Sequence, residues 1–265
     1  MAYLYIDPDM GFSPRESVDV MDNDFEEDAM TTRRVLITGA SKGIGRAVAD
    51  RVAAAGDIPI GLARTTPDDF PGEFYEVDLA DRAATADVLE RIVASGPVDA
   101  VVNNVGFAHF GRIGSIDLDH LFDTYDMNVR TAVQVVQAVL PGMLTAGWGR
   151  IVNVTSLTTL GVQERTPYAA SKAALETCTR IWANELAQSG ITVNAVAPGP
   201  IETEMFRERS PIGSDREARL LEKIPVNRVG APREIAHAIT ALLDEDAGYI
   251  TGQIIRVDGG GSIAA

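Results

Sequence analysis

From residue 33 onward, apolar runs of strand length recur along the chain: RVLITGA (34–40), IPIGLA (58–63), FYEVD (74–78), VDAVVNN (98–104), RIVNVTS (150–156), ITVNAVAP (191–198) and GQIIRVD (252–258). Segments of helical composition separate most of them, at 45–55, 81–94, 118–144, 168–188 and 232–243. Strand and helix in alternation predict a parallel sheet with helices on both faces, because each parallel pair needs a long crossover. The expected fold class is α/β, a doubly wound Rossmann fold with about seven parallel strands. One link breaks the pattern. The stretch from Arg64 to Glu73 is short and holds Pro67 and Pro71, which predicts a loop or a single turn in place of a helix.

Composition narrows the picture. The chain has 265 residues, is 46% hydrophobic, and contains no apolar run near the roughly 18 residues that a spanning helix requires. One soluble domain is expected, at 31–265, with no membrane partner. Neither a basic segment nor an apolar stretch of the secretory kind opens the chain, and Cys178 is the only cysteine, so a reducing cytoplasm is expected. Cys178 falls in a helical run and reads as a small buried hydrophobe. His109, His120 and His237 are scattered without metal-ligand spacing.

The net charge of −15 is unevenly placed. Residues 1–30 carry nine acidic side chains against Arg15 alone and contribute −8, and this part reads as a disordered acidic tail. An acidic surface argues against nucleic acid, whose phosphates need a basic face.

Two motifs carry chemistry. TGASKGIG places Gly39, Gly43 and Gly45 after a strand and at the start of a helix, where free amides and the helix dipole favour the phosphates of a dinucleotide. TPYAASK puts Tyr168 and Lys172 one helical turn apart on one face, within reach of each other or of a shared ligand.

With NNVG (103–106), Asn128, Ser156 and PGPIET (198–203), these motifs make residues 33–261 resemble the short-chain dehydrogenase/reductases. The resemblance implies a catalytic set of Asn128, Ser156, Tyr168 and Lys172, with Asn128 supporting a relay water. It implies cofactor contacts from Gly39, Ser41, Lys42, Gly43, Ile44 and Gly45 in the glycine turn. Further contacts are implied from Asp78 and Leu79 at the adenine, from Asn103 and Asn104 near the ribose, and from Pro198, Gly199, Ile201 and Thr203. Tyr168 and Lys172 also belong to this set, Lys172 through the nicotinamide ribose. The stretch 201–224 resembles the family's lid, with its arginines solvated, and the Ala- and Val-rich helices after Asn128 and Tyr168 imply a homotetramer. Two departures stand out: Val105 replaces the usual alanine of the Asn-Asn-Ala-Gly motif, and Ser156 precedes Tyr168 by twelve residues where thirteen is common.

Reducing a carbonyl by hydride transfer leaves an alkoxide that needs a proton. A nearby cation such as Lys172 is expected to pull the Tyr168 phenol below its ordinary pKa of about 10. Ser156, at the carboxyl end of its strand, can donate to the oxygen where charge develops. Cofactor choice is read at the second strand, which ends GLAR. Ala63 supplies no carboxylate for a ribose hydroxyl, while Arg64 and Lys42 are cations suited to a 2′-phosphate, so NADP(H) is expected over NAD(H). No metal is expected.

The substrate is expected to be a small carbonyl or alcohol in a pocket drawn from Phe107, Phe110, Leu157, Leu160, Met205 and Phe206. Three functions fit: an NADPH-dependent carbonyl reductase, a 3-oxoacyl thioester reductase of fatty-acid type, and a non-catalytic NADP-binding sensor or scaffold. Binding alone does not need Tyr168 as an acid, which disfavours the third. Relatives of the carrier-protein type often have Lys or Arg just before the fifth strand and before the Glu of the Tyr-Lys helix. Here TAGW (145–148) and Asn184 are uncharged.

Overall fold

A computed structural model describes residues 32–263. The acidic tail expected at 1–30 lies outside the described residues. Seven strands form one sheet: β1 (Arg34–Thr38), β2 (Ile58–Ala63), β3 (Glu73–Glu76), β4 (Ala100–Asn103), β5 (Gly149–Val154), β6 (Ile191–Pro198) and β7 (Ile254–Val257). Their order is β3-β2-β1-β4-β5-β6-β7, and every pairing is parallel. The order reverses between β1 and β4, which opens a crevice at the carboxyl ends of those strands.

The helices are α1 (Gly43–Ala54), α2 (Arg82–Ala94), α3 (Leu118–Tyr125), α4 (Thr131–Ala146), α5 (Thr166–Leu186), α6 (Glu204–Arg207), α7 (Asp215–Leu221) and α8 (Pro232–Leu243). No helix lies between β2 and β3, as the two prolines predicted. α1 begins two residues before the sequence-based boundary of 45, because the glycines that open it have weak helix propensity but are needed for the turn. The single helix expected over 118–144 is divided by a five-residue π-helix, Asp126–Arg130, a wider turn that amphipathic spacing does not reveal. The stretch expected as a lid holds α6 and α7. Arg207 ion-pairs there with both Glu202 and Glu217.

Alternate side chains of each strand enter two cores. On one face Leu36, Ile60, Leu62 and Val101 pack with Leu89 and Ile92 of α2 and Val135 and Val139 of α4. On the other, Val35, Ile37, Val102 and Val152 pack with Val48 and Val52 of α1 and Ile235 and Ile239 of α8. Arg150 is 3% exposed and donates to the carbonyls of Asp244 and Glu245, both at 3.1 Å, tying β5 to the segment after α8.

The carboxyl ends of α4 and of the short turn after α5 abut beneath the sheet. Gly147 (φ +65°) caps the first and Gly190 (φ +74°) the second, and a Cβ on Gly190 would lie 2.0 Å from the Gly147 carbonyl oxygen. Gly190→Ala combines left-handed strain with a backbone clash. It is expected to destabilise the fold by at least about 2 kcal/mol in denaturant unfolding, with cofactor affinity kept in the folded fraction; a change under about 0.5 kcal/mol would contradict this packing.

Candidate active site

The glycine turn lies at the carboxyl end of β1. Gly39 (φ +67°) and Gly43 (φ +60°) adopt left-handed backbone. Gly45 must lack a side chain, since a Cβ there would sit 2.3 Å from the Gly39 oxygen and 2.6 Å from Asn104 Nδ2. Asn104 Nδ2 donates to the Thr38 and Gly39 carbonyls at 2.9 and 3.2 Å, and the Thr38 hydroxyl accepts from the Asn104 and Val105 amides at 3.0 Å. Asn104 therefore holds the shape of the turn. Thr38 has the same role and was not legible as a site residue.

Lys42 is the N-cap of α1 and makes no side-chain cap, leaving first-turn amides, with Ser41 and Ile44 beside them, free for an anion. Thr203 closes over this turn, its Cγ2 3.4 Å from where a Cβ of Gly43 would be. Thr203 also caps α6, accepting from the Phe206 amide at 3.3 Å.

The other expected cofactor residues ring the same strand ends. Arg64 follows Ala63 at the end of β2, exposed and in no ion pair among the described residues. Lys42 is exposed but ion-paired to Glu204 of α6. Asp78 is exposed and accepts from the Ala80 amide at 3.0 Å, whereas Leu79 is buried and its carbonyl accepts from Arg130 at 2.8 Å. Pro198 ends β6, and the Gly199 amide donates to the Val257 carbonyl at 3.0 Å. A Cβ on Gly199 would lie 2.8 Å from the Asp258 Cα. Ile201 is buried and bridges to Gly230. The Asn103 side chain is enclosed in the sheet, 2% exposed, and donates to Asn153 Oδ1 at 2.9 Å.

The expected catalytic residues converge beyond β5. Ser156 is buried two residues past the strand, and its hydroxyl accepts from the amide and hydroxyl of Thr158 at 3.2 and 3.0 Å. Tyr168 lies in the first turn of α5. Lys172 is 2% exposed, its Nζ donating to the Val154 carbonyl at 2.8 Å and lying 5.9 Å from the Tyr168 ring centre. Asn128 occupies the π-helix. Its Oδ1 accepts from the Phe107 amide at 2.8 Å, and its Nδ2 donates to the Phe107 carbonyl at 2.9 Å and to the Ser171 hydroxyl at 2.8 Å. These bonds position the loop after β4 against α5.

The electrostatics differ from the sequence-based expectation in one respect. Burial raises the Tyr168 phenol above its ordinary pKa, against the opposing pull of the Ser156 hydroxyl and the Arg165 guanidinium. Lys172 is not among the groups that lower it, and burial pushes Lys172 itself down to about 8. Arg165 is thus a cation near the phenol that motif spacing did not reveal.

The residues present fit a nicotinamide dinucleotide. Uncapped amides and Cβ-free positions form an anion cradle at α1, and the buried Lys172 ammonium, with three donors and one bond to Val154, retains capacity for ribose hydroxyls. Among the described residues no group of side chains is arranged to hold a metal, and no helix is long and apolar enough to cross a membrane. A separate cavity of about 620 Å³ flanks α5 and is lined by Thr158, Val162, Glu164, Ala169 and Ala173 among others, but by neither Tyr168 nor Lys172.

The sequence profile of a family described as "Enoyl-(Acyl carrier protein) reductase" matches residues 39–262, most of the chain and every site residue named here except Thr38. The chain belongs to the short-chain dehydrogenase/reductases. It is 37% identical over 235 residues to the 3-oxoacyl-[acyl-carrier-protein] reductase FabG of Escherichia coli (strain K12), covering 85% of this chain and 95% of the relative. It is 35% identical over 245 residues to the BbsD subunit of (2S)-[(R)-hydroxy(phenyl)methyl]succinyl-CoA dehydrogenase from Thauera aromatica, covering 88% and 98%. The ligand-free aldohexose dehydrogenase of Thermoplasma acidophilum superposes with a TM-score of 0.82 at 30% identity, covering 88% of this chain and 95% of that one. The protein is an NAD(P)-dependent oxidoreductase of this family.

The depressed Lys172 pKa has a measurable consequence. Between about pH 8 and its unfolded value near 10.4, the unfolded chain holds the lysine proton more tightly than the folded protein, so folded stability rises with pH across this window. Below it the penalty is fully present. Relative to Lys172→Met, cofactor-free wild type should gain about 3 kcal/mol between pH 7 and pH 10.5, read by denaturant unfolding. A difference independent of pH would show that the ammonium is not desolvated.

Proposed function

We propose that the protein reduces the 3-oxo group of an acyl thioester with NADPH, with Tyr168 as the proton donor. The observation that carries this reading is the convergence of Ser156, Tyr168 and Lys172 at the carboxyl end of β5, beside an anion cradle at the end of β1. The 3-oxoacyl and acyl-CoA chemistry in the names of FabG and BbsD supports the thioester class. When bound, the reduced nicotinamide supplies the hydride to the carbonyl carbon. Ser156 holds the carbonyl oxygen, and Tyr168 delivers the proton to it as the C–O π bond breaks. Lys172 orients the nicotinamide ribose, and Asn128 holds the α5 segment that carries Tyr168 and Lys172. Preference for NADPH rests on the exposed Arg64 next to Ala63. The reading includes a cytoplasmic homotetramer assembled through α4 and α5, whose outer faces expose Leu144 and Ile181.

A second reading, a reductase of free carbonyl compounds, is favoured by one observation. The segment TAGW before β5 and Asn184 of α5 are uncharged on a protein of net charge −15, so an acidic carrier protein has no basic dock there. A panel holding a free ketone, a small 3-oxoacyl thioester and a carrier-bound 3-oxoacyl substrate, assayed by NADPH oxidation at two ionic strengths, separates the readings. The small thioester should match the carrier-bound form with little salt dependence. A free ketone preferred tenfold over both would establish the second reading, and a carrier preference that weakens with salt would restore a docking partner.

The cofactor assignment is tested by replacing Ala63 with Asp and Arg64 with Leu. Losing a charge-assisted contact worth about 1.5–3 kcal/mol should shift the NADPH to NADH ratio of kcat/KM by at least about tenfold toward NADH. A wild type that prefers NADH would refute the assignment without any variant.

A further inference from the structure

Three guanidiniums without carboxylate partners gather at the mouth of the catalytic cleft. The Arg165 guanidinium carbon lies 4.0 Å and that of Arg209 3.4 Å from the centre of the Phe110 ring, and that ring is 6.2 Å from the Tyr168 ring. Arg165, one residue before α5, is half-buried, while Arg209, between α6 and α7, and Arg216 of α7 are exposed. Among the described residues none of the three side chains makes a hydrogen bond or an ion pair. Glu164, next to Arg165, is taken by Arg112, and Glu217, next to Arg216, by Arg207, while Glu208, next to Arg209, pulls on it less than burial and Arg216 oppose. Arg207 of the same stretch shows the contrast, since it pairs with two carboxylates, Glu202 and Glu217, and also donates to the Ser210 carbonyl.

Such a cluster is unfavourable when empty. Desolvation, followed by repulsion from Arg209 and Arg216, holds the Arg165 guanidinium below its ordinary value, and Glu164 offsets this only in part. Both guanidiniums lie over the Phe110 ring, and their N–H donors meet no acceptor among the described residues. Planar donor forks of this kind match a carboxylate bidentately. One aromatic ring separates them from the catalytic phenol, so an anion they bind belongs to the part of a substrate close to its reacting carbonyl.

We infer that Arg165 and Arg209, seated on Phe110, form a carboxylate subsite, and that the preferred substrate carries its own carboxylate a few bonds from the carbonyl being reduced. This rests on the 3-oxoacyl thioester reductase reading above and sharpens its substrate class. Arg216 adds long-range attraction, drawing an anionic substrate to the cleft of an otherwise acidic protein.

The test compares matched substrates that differ only in the anion. With NADPH, the N-acetylcysteamine thioester of 3-oxoadipic acid should exceed its methyl ester in kcat/KM by at least tenfold, and the Arg165→Gln/Arg209→Gln variant should bring the ratio near one. Equal rates for acid and ester in wild type, or an unchanged ratio in the variant, would overturn the inference and leave the reductase reading standing. A parallel pair, 3-oxobutyryl-coenzyme A against its N-acetylcysteamine thioester, reports on phosphate. If the variant abolishes a coenzyme A preference while acid and ester behave alike, the guanidiniums serve the carrier's phosphates and the carboxylate assignment fails. Without turnover, millimolar adipate should raise the Tm of the wild-type NADPH complex but not that of the variant. Failure of every carbonyl to be reduced would sink the reductase reading alone, whereas absence of the adipate shift would sink the subsite.

Discussion

The bond from Lys172 Nζ to the Val154 carbonyl fixes α5 to the end of β5. A buried ammonium is costly unless an acceptor meets it, and the Val154 carbonyl lies one residue past Asn153, where pairing with β4 ends. The strand end, the helix and the chemistry are thereby locked together. Tyr168 lies one turn before Lys172 in α5, and Ser156 lies two residues beyond Val154. Asn128 holds the same helix from the other side through Ser171.

The second fixed point is the glycine turn. Its shape depends on close backbone approach, with Asn104 filling the space that a side chain on Gly45 would take. The two fixed points sit at the carboxyl ends of β1 and β5, on either side of β4. A dinucleotide has the length to bridge them, which is why an open parallel sheet that reverses its strand order between β1 and β4 suits this chemistry. The remaining strands and helices supply the burial that keeps both ends in register.

Much of this was legible in the sequence because it depends on local patterns. Continuous apolar runs such as IPIGLA and ITVNAVAP mark strands buried on both faces, and the glycine spacing marks the phosphate turn. What stayed hidden depends on partners distant in the chain. The π-helix at Asp126–Arg130 is invisible to helical periodicity. Motif spacing does not show the burial that raises the Tyr168 phenol in the cofactor-free protein. Arg209 read as a solvated lid residue, and only the fold places it on Phe110 opposite the catalytic helix.

In the proposed mechanism Tyr168 is the proton donor, and its surroundings, more than its ring, make it one. Tyr168→Phe keeps the ring and its packing while removing only the acid. The most direct measurement is single-turnover oxidation of NADPH by this variant, beside cofactor affinity by fluorescence titration. The chemical step should fall by about 10² or more with affinity kept within about twofold of wild type. A near wild-type chemical step in the variant would contradict the mechanism.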